Sequence, residues 1–473
     1  MQRVVILGVC SCLALLGCGG GGSTTGGDDS PSTGVETGDG IDAAEGMSAE
    51  SNPGDGDPSD GNPGDGDGEP GDGDPDDDDD GDGGTKFDLS GIPDNSQGCG
   101  DGGGGPSDDL LSFIWIANSS QGTVSKIDTA TGVEAGRYDS SPQAGGNPSR
   151  TSVNLLGDVA VSNRDPGGIT KIAARSENCV DKNNNNQIET SSGPNDVLPW
   201  DQDECVLWHV PAPSNSYSSG PRPTAWEGGK FGEGEGDCGV DPNPRLWIGF
   251  KSVANDGVFW RLDGETGELL DEINVGYWGS GYGPYGGAVN ADGDLVVTGL
   301  NTDPSKHIDA DTLVVTDLGN PGSACKYGMA LDQNGDLWVG HCFGEGVSHY
   351  SFQTGMWTTI PAAGGQRVNG VQADRDGNVW GAGSDPCRLV QIDVQTKQYV
   401  NTNIPLPIGC SSPWGVSVDV EGFVWIVDMG SSAAYKVNPE TYQTEVTVNG
   451  LVGPYTYSDM TGSGLNLVVN PPG

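Results

Sequence analysis

Oxygen-bearing side chains fall on alternate residues of one short stretch: Asp181, Asn183, Asn185, Gln187 and Glu189. A hard cation such as Ca2+ takes about six to eight oxygen ligands, and one tight turn can supply most of them by this alternation. The alternation suits such a cation. A second chemistry, proton transfer, needs a histidine with a carboxylate partner. Of the four histidines, His341 is the best candidate general base and Asp428 its charge partner, for a reason the repeat below supplies. A plain role for His341 beside Cys342 in a disulfide-tied corner stays open, and His209, His307 and His349 are assigned nothing.

The elements that position these residues repeat. YGGAVNADGDLVVTG from Tyr285, YGMALDQNGDLWVGH from Tyr327, NGVQADRDGNVWGAG from Asn369 and WGVSVDVEGFVWIVD from Trp414 are copies of one phrase, and their turn glycines Gly293, Gly335, Gly377 and Gly422 are 42, 42 and 45 residues apart. Each copy reads as an alternating strand, a tight turn and a second apolar strand, with two more strands behind. Four antiparallel strands per period, without a 3.6-residue apolar pattern, predict an all-β fold: a β-propeller of seven blades over 107–473, with six or eight still open. Residues 113–138 supply all but the first strand of blade one, and Tyr455 to Gly462 repeats the first-strand phrase. The C-terminal strand is therefore expected to close the ring by completing blade one. Trp115, Trp247, Trp338, Trp380 and Trp425 share one register of the second strand and read as packing between blades.

First-strand starts and second-strand ends, 14 residues apart in this sequence, meet on one face around a propeller's channel. The starts Ser149, Tyr285, Tyr327, Asn369 and Trp414, with Pro454 and Tyr455, face the ends Asn118, Asn163, Phe250, Gly299, His341, Gly383 and Asp428. That cup reads as aromatic, amide and weakly charged. It suits a flat or hydroxylated ligand held by Asn118, Asn163, Tyr285, Tyr327, Asn369 and Trp414; a water-filled funnel without a ligand is the alternative. Of 11 cysteines, Cys10, Cys12 and Cys18 fall in or at the end of the N-terminal apolar run. The eight others are even in number and lack CxxC spacing, which reads as disulfides. Cys179 with Cys205 would staple the 179–205 insertion of blade two, strand position pairs Cys325 with Cys342 and Cys387 with Cys410, and elimination leaves Cys99 with Cys238.

The phrase D-x-D-G-x-[VL]-W, with IWIANSSQGTVSKIDTATG in blade one, resembles the virginiamycin B lyase (streptogramin lyase) family and its NHL-like and YVTN-type propeller relatives over most of residues 110–465. The resemblance implies the propeller fold. Lyases of that family carry a catalytic His at a first-strand start and a Glu at a second-strand end, with Mg2+ holding the substrate. Here the matching pairs are Tyr327 with His341 and Trp414 with Asp428, so no blade in register has His followed by Glu. The blade-two insertion is similar to an EF-hand or dockerin calcium loop, with Asp181, Asn183 and Asn185 at its first, third and fifth positions, Gln187 at the seventh, Ile188 at the apolar eighth and Glu189 at the ninth. Asn186 stands where Gly is usual and Ser192 where a bidentate Glu is usual, so an outside acid such as Asp196 or Asp201 has to complete the shell. An Asn-rich turn left empty is the alternative.

The start, MQRVVILGVCSCLALLGC, reads as a secretory signal over 1–17. Leu15-Leu16-Gly17-Cys18 resembles the lipobox of bacterial lipoproteins, which implies cleavage before Cys18, a lipid on its thiol and, with Gly19 next, the outer membrane of a Gram-negative bacterium; an ordinary signal peptide with an incidental Cys is the alternative. Residues 18–106 hold 24 acids against one cation, Lys86, and are expected to form a disordered Gly/Asp/Pro-rich acidic tether. The whole chain of 473 residues carries 81 Gly, 31 Pro and a net charge of -47, which excludes a nucleic-acid partner and makes membrane contact through the lipid anchor alone the expectation. Together these readings describe an exported lipoprotein whose cup binds an extracellular ligand or protein partner without turnover. The competing reading is a lyase or hydrolase acting on a cyclic or sugar-like substrate.

Overall fold

The computed structural model describes residues 111–214, 216–228, 244–279, 281–322, 325–344, 346–362 and 367–472. The expected signal and tether, Cys18, Cys99 and Cys238 lie outside the described residues.

The repeated phrase folds through one local device. The acid or amide that opens each turn accepts two backbone N–H groups from it: Asp332 Oδ1 takes those of Asn334 (2.8 Å) and Asp336 (3.1 Å). Asn154, Asn290, Asp374 and Asp419 do the same in their blades. The turn ends on a left-handed residue, with φ +74° at Gly335 and +87° at Gly422. A Cβ at either position would meet nothing within 4 Å, so the backbone angle and not crowding demands glycine.

These hairpins build seven antiparallel blades. Blades two to seven have four strands each, and their inner strands are Pro148–Val153, Thr224–Trp226, Pro284–Val289, Lys326–Leu331, Arg367–Ala373 and Pro413–Val418. Blades five and six run together through one pair, His341 opposite Val368. Blade one has three strands of its own, Phe113–Asn118, Thr123–Asp128 and Glu134–Asp139, and takes its inner edge from the C-terminus. Pro454 bridges Asn118, the Tyr455 N–H donates to Ala117 O (3.0 Å) and the Trp115 N–H to Met460 O (2.8 Å). The ring therefore closes as expected. Past it lies a helix that the strand pattern did not anticipate, Ser463–Val469, whose Leu465, Leu467 and Val468 are buried. It contacts the inner strands of blades four to seven at the end of the channel away from the strand starts.

Two layers hold neighbouring blades together. The five register tryptophans are fully buried, and Trp115 Nε1 donates across to Gly157 O of blade two (3.2 Å), Trp247 Nε1 to Gly293 O of blade four (3.2 Å). Directly opposite this register, the third strands carry Lys126, Lys171, Arg261, His307, His349, Gln391 and Lys436. Lys126 reaches Ala174 O of blade two (2.9 Å), Lys171 reaches Gly264 O of blade three (3.0 Å), Arg261 reaches Ala310 O of blade four (2.6 Å) and Lys436 of blade seven reaches Thr129 O of blade one (2.9 Å). His307 and His349 belong to this belt, bonded to Asp294 (2.9 Å) and Asp336 (3.1 Å). Asp332, Asp336 and His349 are the one acid and histidine group among the described residues close enough to share a cation. Its carboxylates are already engaged by Trp338 Nε1 and by the N–H groups of Asn334 and Phe352.

Candidate functional site

The strand starts and ends do converge on one face, and there the aromatic expectation holds. Tyr327 stacks on Tyr457 with ring centroids 4.6 Å apart and lies 5.1 Å from Trp414, and Tyr285 lies 5.6 Å from Tyr327. The phenol oxygens gather on Tyr455, whose Oη is 3.3 Å from that of Tyr285, 3.4 Å from that of Tyr457 and hydrogen-bonded to that of Tyr327. The amides do something else. Asn118 donates to Ser125 Oγ (2.7 Å) and accepts the Val452 N–H (2.9 Å), and Asn163 accepts from Ser140 Oγ (2.9 Å) and donates to Ser140 O. Asn369 donates to Ser384 Oγ (2.8 Å) and Pro413 O (2.8 Å). They brace the rim.

The expectation of a weakly charged cup is overturned. Three guanidiniums interleave with the tyrosines. Arg150 Cζ lies 3.3 Å from the ring centroid of Tyr457, Arg164 Cζ 5.0 Å from that of Tyr455, and Arg222 Cζ 4.8 Å from that of Tyr282. All three arginines are buried. Arg150 follows Ser149, the position named from the sequence, where the strand's register shifts between Pro148 and Arg150; a shift of one residue would have found it. Arg222 precedes an inner strand of only three residues, Thr224–Trp226, which carries too little of the repeated phrase to register. Their hydrogen bonds go to neutral groups: Arg150 to Ser149 O and Tyr285 O, Arg164 to Tyr217 Oη, Arg222 to Tyr217 O, Ser218 O and Gly220 O. No carboxylate among the described residues pairs with any of them.

Burial and charge then pull the phenols apart. Burial drives Tyr327 and Tyr457 well above the ordinary range. Burial opposes ionisation of Tyr285 too, but Arg150 and Arg222 outweigh it and lower its pKa. Above the cluster, Ser216, Tyr217, Ser218, Gly281 and Tyr282 line an open cleft of about 320 Å³. The Tyr217 ring is 42% exposed and lies 4.6 Å from Arg164 Cζ and 5.3 Å from Arg222 Cζ, so the cleft is backed by guanidinium.

No protein-family model matches the chain, and no curated protein sequence matches it. Solved structures do. A streptogramin B lyase superposes with a TM-score of 0.48 at 16% identity, over 67% of this chain and 87% of that one. A virginiamycin B lyase from Staphylococcus aureus gives 0.46 at 14%, over 65% and 87%. A protein from Lactobacillus plantarum gives 0.50 at 12%, over 73% and 97%. By fold, the chain is a β-propeller. At such identities the likeness concerns the fold alone.

In this propeller His341 and Asp428 close the second strands of blades five and seven, Leu337–His341 and Val424–Asp428. Both are fully buried. The Asp428 carboxylate accepts the N–H groups of Ser412 (2.7 Å), Ser431 (3.0 Å) and Gly430 (3.3 Å), and the Ser431 hydroxyl. It thus ties together the loops on either side of its hairpin. In the blade-two insertion, Asp181 accepts the N–H groups of Asn185 (3.2 Å) and Asn186 (2.8 Å), while the amides of Asn183 and Asn185 meet the Glu189 carboxylate at 2.5 and 2.8 Å. Asn183 and Asn185 are thereby drawn to Glu189, while Asp181 holds the backbone of the loop. Asp196 is bonded to Ser192 instead (2.6 Å). The buried Glu204, not foreseen, pins both ends of the loop through the N–H groups of Lys182 (2.8 Å) and Glu189 (2.9 Å). Cys179 with Cys205, Cys325 with Cys342 and Cys387 with Cys410 are bonded as expected.

Proposed function

We propose that the chain is an exported lipoprotein, anchored through Cys18, whose cup binds an extracellular ligand or protein partner without converting it. The observation that carries this reading is the aromatic cluster of Tyr285, Tyr327, Trp414, Tyr455 and Tyr457, which Tyr282, 6.0 Å from Tyr285, joins to an open cleft. Aromatic faces bury area at little entropic cost, and the polar tips beside them orient a ligand. The non-catalytic reading draws support from Asp428, whose carboxylate is occupied by five loop donors.

The test is thermal unfolding of the whole chain with a panel of glycans and cyclic peptides, quinupristin among them, since a ligand of the folded state raises the midpoint. A panel member that raises it, is recovered unchanged by mass, and loses its effect in Trp414→Ala supports the reading. Conversion of a panel member that stops in His341→Ala or Asp428→Ala would replace it with the lyase or hydrolase reading. The address is checked separately: Cys18→Ser should abolish the mass of a lipid on the N-terminal peptide. We also propose a structural Ca2+ in the insertion, held by Asp181, Asn183, Asn185 and Glu189 with the Gln187 carbonyl.

A further inference from the structure

The charge on the cup decides what kind of ligand it can take. Arg150 and Arg222 are each 1% exposed and Arg164 is 5% exposed, so three positive charges sit where water cannot screen them. Removing a charge from water without a partner costs several kcal/mol in effective terms, about the worth of many ordinary contacts. Other buried cations in this chain are paired, Arg137 with Glu134 (2.7 Å), Arg261 with Asp271 (2.6 Å) and Lys436 with Asp419 (3.3 Å), while Lys251 and Lys326 also rest on uncharged oxygens. With 68 acidic residues against 21 basic ones, carboxylates are not scarce. The cup arginines are nonetheless surrounded by tyrosine rings, phenol hydroxyls and carbonyls.

The hydrogen-bonding inventory points the same way. The Nε of Arg150 and of Arg164 are buried without an acceptor. Guanidinium and phenol are donors, and clustered donors with spare capacity make a receptor for an oxyanion. The cleft supplies the way in, because Tyr217 carries both the exposed ring and the hydroxyl that Arg164 holds at 2.7 Å.

Building on the reading of the cup as a binding face, we infer that its ligand carries an oxyanion, a carboxylate, sulfate or phosphate group, which enters between Tyr217 and Tyr282 and is held against Arg150, Arg164 and Arg222. The flat remainder of such a ligand would lie on the tyrosines.

The whole chain is titrated calorimetrically with citrate, inorganic sulfate and inorganic phosphate at matched ionic strength, beside an uncharged glycan series. Arg164→Gln and Arg222→Gln are compared with Arg375→Gln, which lies on the turn at the far end of blade six. At least one anion should bind saturably. Each cup variant should weaken it by about tenfold or more, the worth of one lost hydrogen bond to a charged group, and Arg375→Gln should not. The cup variants should melt no lower than the parent without anion, because each removes an uncompensated buried charge; if one fails to fold, Arg164→Lys and the remaining variant carry the comparison. Equal binding by all variants, or saturable binding of uncharged probes alone, overturns the inference, and the second result leaves the cup as a binding face. A tyrosinate absorbing at neutral pH in the anion-free protein would show that Tyr285 balances the arginines internally, and overturns it as well. Binding of no probe overturns the inference and leaves a protein partner as the remaining form of the binding reading.

Discussion

His209 shows how one buried ring sets a pH limit. It lies on the outer strand of blade two, Val206–Pro211, with Nδ1 2.9 Å from Thr170 Oγ1, and burial lowers its pKa from 6.5 to about 4. Between those values the unfolded chain takes up a proton that the folded chain refuses. The contribution is therefore complete above pH 6.5 and lost as pH falls toward 4. With allowance for partial exposure, it amounts to about 1–2 kcal/mol. Melting midpoints from pH 7 to 4 should fall less steeply in His209→Gln than in the parent; parallel curves would dismiss the assignment. At this scale the sequence was an uneven guide. Tyr285, Tyr327 and Trp414 were legible because the repeat fixes their register, and Asp428 and His341 were placed correctly at strand ends. Their surroundings were not legible, since Ser411, Ser412, Gly430 and Ser431 close on Asp428 through loop geometry that no local pattern records.

At the scale of elements, two devices make separate predictions. The third-strand belt joins blades through cations, and Lys171 is its most self-contained member: it lies 3.6 Å from Asp158, donates to Gly264 O of blade three, and both charged groups are buried. Burial already raises the pKa of Asp158, so removing its partner leaves a costly lone charge. Lys171→Met should destabilise by about 3–5 kcal/mol, whereas Lys171→Met with Asp158→Asn should recover much of that. Urea unfolding midpoints measure both, and an additive double mutant would show that the pair does not interact. The loop of the blade-two insertion, proposed to hold Ca2+, is the second device. Its Asn183 and Asn185 amides face Glu189, and rotation of each amide would present oxygen to a cation instead. Ca2+ should raise the midpoint relative to EGTA in the parent, and not in Asp181→Ala; no shift in the parent removes the ion from the proposal. Alternation made this loop readable, while Glu204, which pins it 15 residues after Glu189, could only be found in three dimensions.

Ring closure governs the whole molecule. A propeller's blades pack side by side, so the first and last would each leave a face exposed unless the chain returns to seal them. Here the seal has three parts: Tyr455 and Met460 paired with the Ala117 and Trp115 backbone, Lys436 of blade seven bonded to Thr129 O of blade one, and the helix Ser463–Val469 across four inner strands. The first was legible, because Tyr455 to Gly462 repeats a phrase whose partner strands lie more than 300 residues earlier. The helix was not, because seven residues with three buried apolar side chains carry too little periodicity to separate it from a strand. The parts differ in consequence. A chain ending at Gly462 loses only the helix, and burying Leu465, Leu467 and Val468 is worth about 1.5–3 kcal/mol each at most; it should still melt cooperatively, at a lower midpoint. A chain ending at Asn449 loses the inner edge of blade one, exposing unpaired backbone along Phe113–Asn118 and the apolar face behind it. It should lose cooperative unfolding and near-ultraviolet dichroism, and a peptide of residues 450–473 added in trans should restore both, since the seal is made without covalent bonds among the described residues. Cooperative melting of the Asn449 chain at the parent's midpoint would show that the belt alone holds the ring, and that the returning strand is an attachment and not its closure.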